Sequence, residues 1–319
     1  MAQGERIVGI DVSKRQAEAC IRSLQERLSQ PSTAEGRQRM ITWLGERGVA
    51  LAVLEASGGY ERDWAEALRQ AGIAVRIVDP KRVRYFAKSA GRLAKNDPID
   101  AEMIAWFAET FATQAAQGHD RERAAVDQLM TARAMLVRLE NQIRQLGEHR
   151  QPPLVERAQR AIAKTIVAQR GKLEAAIAVR IERHAPFAAR RAMIQSVPGL
   201  GPRFAAGAIA WLPELGNIGN RAAAALVGVA PYDDDSGTRR GARHIKGGRR
   251  EIRNLLYMAT FAATRCNPVV KAHYQQLRAK GKTFKVALVA CMRKLIVILN
   301  TMLARGRSWN PPAAGAALA

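Results

Sequence analysis

The apolar residues of the first third of the chain fall into short β-branched runs separated by stretches of helical period. Ile7-Val8-Gly9-Ile10-Asp11-Val12 reads as a buried strand, and the run from Gln16 onward reads as its hairpin partner. Val49-Ala50-Leu51-Ala52-Val53-Leu54-Glu55 is a second apolar strand, released into a helix by Ser57-Gly58-Gly59. The pattern predicts strands at 6–12, 16–23, 49–55 and 73–78, and helices near 35–47, 60–71, 80–92 and 98–115. Asp79-Pro80 marks one strand-to-helix junction, with Asp as cap and Pro in the first turn. A hairpin followed by alternating β and α elements implies a mixed sheet covered by helices, an α/β domain over residues 1–118.

The period then becomes purely helical. Leu129, Ala132, Leu136, Leu139, Ile143 and Leu146 recur at spacings of three and four, a coiled-coil seam that ends at Gln151-Pro152-Pro153. A second long helix carries Ile162, Ile166, Leu173, Ile177 and Ile181 on one face. The seam either closes a hairpin within one subunit or joins two subunits, the second arrangement being favoured, and this helical region spans 119–185.

From 186 to 319 the chain reads as a mostly helical domain. It opens with Pro198-Gly199-Leu200-Gly201 before a helix from Arg203 to Trp211, a helix-hairpin-helix-like element. Gly199 and Gly201 could leave backbone N–H groups pointing at a phosphate, although an ordinary helix-helix turn has the same sequence. The stretch from Leu226 to Gly241 reads as polar, glycine-rich loop with no place in a core. Amphipathic helices follow at about 250–265 and 283–304.

Candidate chemistry enters through four carboxylates. Asp11 follows one apolar strand, Glu55 ends another, and Asp97 and Asp100 flank Pro98 at a helix start. A spacing of three puts Asp97, the expected N-cap, and Asp100 on one side of that start, where like charges repel unless a cation lies between them. Single acids at strand ends and helix N-termini are ordinarily solvated or capping groups. The ordered set, in a strand, strand and helix context, instead suits Mg²⁺, a hard cation held by carboxylates and substrate phosphates in two-metal phosphoryl transfer.

Charge supplies the partner. The 319 residues carry a net charge of +23, distributed unevenly. Residues 1–118 hold 17 Lys and Arg against 15 Asp and Glu, residues 119–190 hold 14 against 8, and residues 191–319 hold 20 against 5. That gradient implies a near-neutral catalytic body and a basic grip on nucleic acid, centred on Arg239, Arg240, Arg243, Lys246, Arg249 and Arg250. Cys20, Cys266 and Cys291 have neither disulfide nor zinc spacing, and a reducing cytoplasm is the expected compartment. No membrane span is expected, because Arg293 and Lys294 interrupt the apolar stretch from Val286 to Leu303. Gly281-Lys282-Thr283 lacks the earlier glycine of a phosphate-binding loop, and Gly199-Leu200-Gly201-Pro202-Arg203-Phe204 fails the dinucleotide fingerprint at its last position.

Taken together, Gly9 to Lys14, Glu55 to Tyr60, Asp97 to Ala101, the Pro-Gly-Leu-Gly hairpin, Ser236-Gly237, Lys246-Gly247-Gly248 and Asn267-Pro268 resemble a DEDD-type transposase of the insertion-sequence family numbered one hundred and ten, over nearly the whole chain. The resemblance implies a RuvC/RNase H-like N-terminal domain in which Asp11, Glu55, Asp97 and Asp100 bind Mg²⁺. It also implies a C-terminal domain whose Ser236 is the nucleophile. Its further implications are excision and insertion of a mobile element by strand exchange between donor and target DNA, a bridge RNA that pairs with both, and a homo-oligomer, a dimer assembling to a tetramer, in the bacterial cytoplasm beside the nucleoid. Ser236 and the carboxylates would meet across subunits. The rival reading is a RuvC-like junction resolvase or nuclease without a serine intermediate; a non-catalytic architectural protein is a further one. Asp233, Asp234 and Asp235 put negative charge beside Ser236, for which the sequence offers no reason.

Overall fold

The computed structural model describes residues 6–92, 97–111, 120–233, 241 and 243–310, without the side chains of residues 97 and 98. The chain forms two compact units, Met1–His119 and Asp120–Ala319.

The first unit contains β1 (Arg6–Val12), β2 (Gln16–Ile21), β3 (Glu26–Pro31), α1 (Ala34–Glu46), β4 (Val49–Glu55), α2 (Glu61–Gln70), β5 (Ala74–Val78), α3 (Pro80–Ser89) and α4 (Asp97–Thr110). Its five strands are ordered β3-β2-β1-β4-β5. The first three form an antiparallel meander, while β1, β4 and β5 are parallel. Strand alternation divides β1 cleanly. Val8, Ile10 and Val12 are buried with Met40, Leu44, Trp64 and Leu68 of α1 and α2, whereas Ile7 packs with Met103, Ile104 and Phe107 of α4 on the opposite face. The sheet therefore lies between two helical layers.

The pattern did not predict β3. Its sequence, Glu-Arg-Leu-Ser-Gln-Pro, contains no fully buried residue, and as an edge strand it is held by pairing with β2 more than by any apolar face. The cap at Asp79 is as expected, its carboxylate accepting from Lys81 N at 2.8 Å ahead of Pro80.

The second unit contains α5 (Arg121–Leu146), α6 (Pro153–Arg183), α7 (Ala185–Gln195), α8 (Pro202–Trp211), α9 (Asn220–Val227), β6 (Pro231–Tyr232), β7 (His244–Ile245), α10 (Arg250–Cys266), α11 (Pro268–Ala279) and α12 (Phe284–Arg305). Helices α5 and α6 form an antiparallel hairpin within the chain, since Glu122 pairs with Arg180, Arg133 with Glu174 and Glu140 with Arg170. The buried stripe of α5 is Val126, Met130 and Arg133, not the expected seam; Ala132, Leu139 and Leu146 are exposed. The proximal half of the hairpin is drawn instead onto Phe187, Ala206, Ile209 and Ala210 of α7 and α8, which selects a different face.

By length and composition α12 could cross a membrane. Here it is the central core helix, with Cys291, Leu295, Ile296 and Leu299 fully buried among α9, α10 and α11. Within that core Asn300 donates to Ile218 O at 2.8 Å and to Asn220 Oδ1 at 2.9 Å, and accepts from Gly216 N at 2.8 Å. Asn300→Leu removes all three bonds and strands a buried donor and acceptor, so an unfolding free energy lower by about 2–3 kcal/mol is expected in denaturant titrations.

Contrary to the expectation for Leu226 to Gly241, Val227 and Val229 are fully buried. Their flanking glycines and polar residues masked a two-residue contribution to the core.

Candidate active site

The register of β1 and β4 pairs Gly9 with Val53 and Ile10 with Leu54, so the next positions are Asp11 and Glu55, at the ends of adjacent parallel strands. Both lie two residues beyond a position that faces α4, Gly9 on β1 and Val53 on β4. Period-two alternation therefore puts both carboxylates on the α4 face of the sheet, each half-buried. Gly9 sets the approach of that helix. A Cβ there would lie 2.3 Å from both Ala101 O and Ala105 N, so only glycine lets α4 rest its backbone on β1. Asp100, half-buried, immediately precedes this contact, and α4 begins at Asp97. The side chain of Asp97 lies outside the described residues. Among the described residues no three His, Cys, Asp or Glu side chains are gathered into a ready-made metal cage.

Ser236 also lies outside the described residues, as do Arg239 and Arg240, but both ends of their loop are defined. Tyr232 pairs with His244 and Pro231 with Ile245. Below that ladder Gly228 and Gly248 interlock at φ +77° and +73°. A Cβ on Gly248 would lie 2.2 Å from Gly228 N, and one on Gly228 would lie 2.3 Å from Gly247 O. Arg249 N donates to Leu226 O at 2.7 Å and Arg253 Nη1 to Gly247 O at 2.5 Å. The described residues on either side of Ser236 are thus held together by close backbone packing.

Sequence comparison bears on both places. A DEDD-type transposase profile matches residues 8–148, containing all four carboxylates, and a profile described as transposase IS116/IS110/IS902 family matches residues 191–275, containing the Ser236 loop. The chain belongs to this transposase family. An insertion element IS110 protein of Streptomyces coelicolor is 32% identical over 140 residues, 43% of this chain and 34% of that protein, so the chain spans about a third of that relative. A pilin gene-inverting protein of Moraxella bovis is 22% identical over 324 aligned positions, 95% of this chain and 97% of that protein.

The basic residues expected to hold nucleic acid take different places in this transposase. Lys246 and Arg250 are exposed. Arg243 is exposed and pairs with Asp233 at 2.6 Å across the hairpin root, which gives one of the three unexplained acids a structural partner. Arg249 is committed elsewhere: its guanidinium holds Glu214 in a fork at 2.6 and 2.8 Å and donates to Trp211 O at 2.6 Å. Packing does account for this cation, contrary to the expectation from the basic run. The Glu214 carboxyl is held below its usual range, burial being outweighed by Arg249. In the α7–α8 connection Gly199 turns inward, where a Cβ would meet Ala263 Cα at 2.7 Å. Gly201, the N-cap of α8, faces open space.

One residue at the site gave no sequence signal. Glu61 is buried, and its carboxylate accepts from Ser57 N at 2.9 Å, Ser57 Oγ at 3.0 Å and Gly59 N at 2.9 Å, pinning the turn that follows Glu55. Burial raises its pKa, but these bonds outweigh burial and hold it below the usual glutamate value. A lowered carboxylate pKa contributes stability above the unfolded value, roughly 4.3, that is lost as pH falls through the folded value. Melting curves of Glu61→Gln should therefore lie below the parent near neutral pH and converge with it as the pH falls through the lowered folded value.

Proposed function

We propose that this transposase moves DNA by serine-mediated strand exchange at a composite site, with a RuvC/RNase H-like domain supplying the carboxylates. The observation that carries the reading is that Asp11 and Glu55 each follow the last paired position of neighbouring parallel strands, on the α4 face. The meander-then-parallel order of the sheet supports the RNase H-like assignment, and members of the family typically use a divalent metal.

Asp11, Glu55, Asp97 and Asp100 would hold Mg²⁺, for which an all-carboxylate donor set is suited. Bound there, the metal would neutralise charge developing on a phosphate oxygen. Ser236 Oγ attacks the scissile phosphorus; the Oγ–P bond forms, the P–O3′ bond breaks, and the departing 3′-oxygen takes up the proton that serine gives up. A 3′-hydroxyl from the second DNA then attacks the phosphoserine, restoring a P–O3′ bond and freeing serine. No water is consumed. Arg243 and Lys246, at the root of the loop, offset phosphate charge. The gene-inverting name of the Moraxella relative, matched over nearly both full lengths, favours exchange over hydrolysis. We further propose a homo-oligomer acting in the cytoplasm on donor and target DNA, with a bridge RNA setting sequence choice by base pairing while the protein reads backbone and shape.

Trapping decides the chemistry. Denaturing gels of the protein with suicide DNA substrates and Mg²⁺ should show a covalent adduct whose protease map ends on the Ser236 peptide. Cleaved DNA with free ends and no adduct would establish the junction-resolvase reading instead.

A further inference from the structure

We infer that the groove beside α12, lined by none of the residues assigned to the proposed strand-exchange site, is a receptor for an unpaired nucleotide of a nucleic-acid strand. The inference rests on the reading of this protein as one that handles DNA and RNA strands.

A cavity of about 750 Å³ opens between α11, α12 and the chain that follows α12. Its size falls in the range of pockets that hold drug-sized or nucleotide-sized ligands, roughly 300–1,000 Å³. Its floor is one face of α12, where Val297, Ile298 and Met302 supply apolar surface. Around them stand five basic side chains, His273, Arg293, Lys294, Arg305 and Arg307, and the half-buried indole of Trp309. Among the described residues no carboxylate lines the cavity. The sequence explains this: after Glu251 there is no Asp or Glu to the end of the chain, whereas 11 Lys and Arg occur over the same stretch. His273 reports the local field, its pKa held below the ordinary value by burial and by Lys294 and Lys280.

An apolar floor, an aromatic wall and a rim in which Arg293, Lys294, Arg305 and Arg307 stand among neutral polar groups match the two halves of a nucleotide, a flat base and its phosphates. Base stacking on an aromatic ring and phosphate contact with Arg and Lys are how single strands are held without sequence preference. A paired base cannot enter such a concavity, because its faces are already stacked, so the groove selects bases that have left a duplex. Strand exchange exposes such bases on DNA, and unpaired RNA loops present them too. Trp309 is also well fixed for the role: its backbone N–H donates to Ser196 Oγ at 2.8 Å, and its ring packs at the edge of the core.

The test uses the full-length protein and fluorescence anisotropy with four probes: a 12-nucleotide deoxy-oligothymidylate, its ribo-oligouridylate counterpart, a fully paired DNA duplex, and the same duplex with one extra unpaired nucleotide. Trp309→Ala and Arg305→Gln/Arg307→Gln should each weaken the single-stranded and bulged probes about 10-fold, as loss of one stacked base or of charge contacts predicts. They should change affinity for the paired duplex less than about 2-fold, and Trp309→Phe, which keeps a ring, should restore most of the loss. A larger loss with the deoxy probe assigns the groove to DNA, and a larger loss with the ribo probe assigns it to RNA; either supports the inference. Equal losses on all four probes, or none on any, overturn it, as does displacement by an acidic peptide but not by a nucleotide. If Trp309→Ala lowers the melting temperature, Trp309→Phe and the arginine pair still decide, since neither removes the packed ring. Failure of the parent protein to bind any of the four probes would instead count against the strand-exchange reading itself.

Discussion

Strand exchange by Asp11→Asn or Glu55→Gln should fall by about 10³-fold or more, while binding to duplex DNA stays close to that of the parent. The substitutions keep size and half-burial but remove a charge from a hard-oxygen donor set, so the loss falls on phosphate activation and not on the fold. The two side chains share one sheet face, and together with Asp100 they add negative charge near the start of α4. The discriminating readout is the rise in melting temperature on adding Mg²⁺, which the parent should show through linkage and both variants should lose in large part. Ser236→Ala should lower exchange as severely and abolish the covalent adduct, yet keep the full Mg²⁺-induced rise. Exchange near the parent rate in Asp11→Asn would overturn the metal role of the carboxylates, and a lost Mg²⁺ response in Ser236→Ala would mean that the loop shapes the metal site.

Much of this was legible in the chain. The β-branched runs ending at Val12 and Glu55 carried their own boundaries, because a two-residue alternation and a following Gly-Gly are local signals. The shared face of Asp11 and Glu55 follows once β1 and β4 are known to be parallel neighbours. Three things were not legible, each because its cause is non-local. Strand β3 is held by its neighbour and carries no buried stripe. Glu61 resembles any acid in the first turn of a helix until the turn it caps folds back onto it. Arg249 sits in a basic run, and its neutralising partner Glu214 is 35 residues away. The α5 stripe was displaced for a related reason: α8 competes with α6 for the surface of α5, and the faces turned toward α8 were won by Val126 and Met130.

The motif that most changes meaning is Lys246-Gly247-Gly248. Along the chain it belongs to the basic run expected to grip nucleic acid; in three dimensions Gly248 packs its backbone against Gly228, before and after the segment that carries Ser236. Gly248→Ala should cost about 3 kcal/mol or more, combining a residue forced to φ +73° with a methyl group driven to 2.2 Å from a backbone nitrogen that has no rotamer with which to escape. Gly228→Ala should cost about as much, since its methyl group would meet Gly247 O at 2.3 Å. The pair forms one contact, so the double variant should be destabilised by clearly less than the sum of the two singles, an excess coupling that a double-mutant cycle in urea would measure. Gly247→Ala is the control: it also has a positive φ, +68°, but open space around its Cβ, so its cost should stay near 1 kcal/mol. Serine adduct formation should follow the same order, because the base of the loop sets where Ser236 can reach, while Mg²⁺ binding by the first unit should be unaffected in all four variants. Equal costs for Gly247→Ala and Gly248→Ala would show that backbone conformation, and not the close approach of the two chain segments, is what these glycines provide.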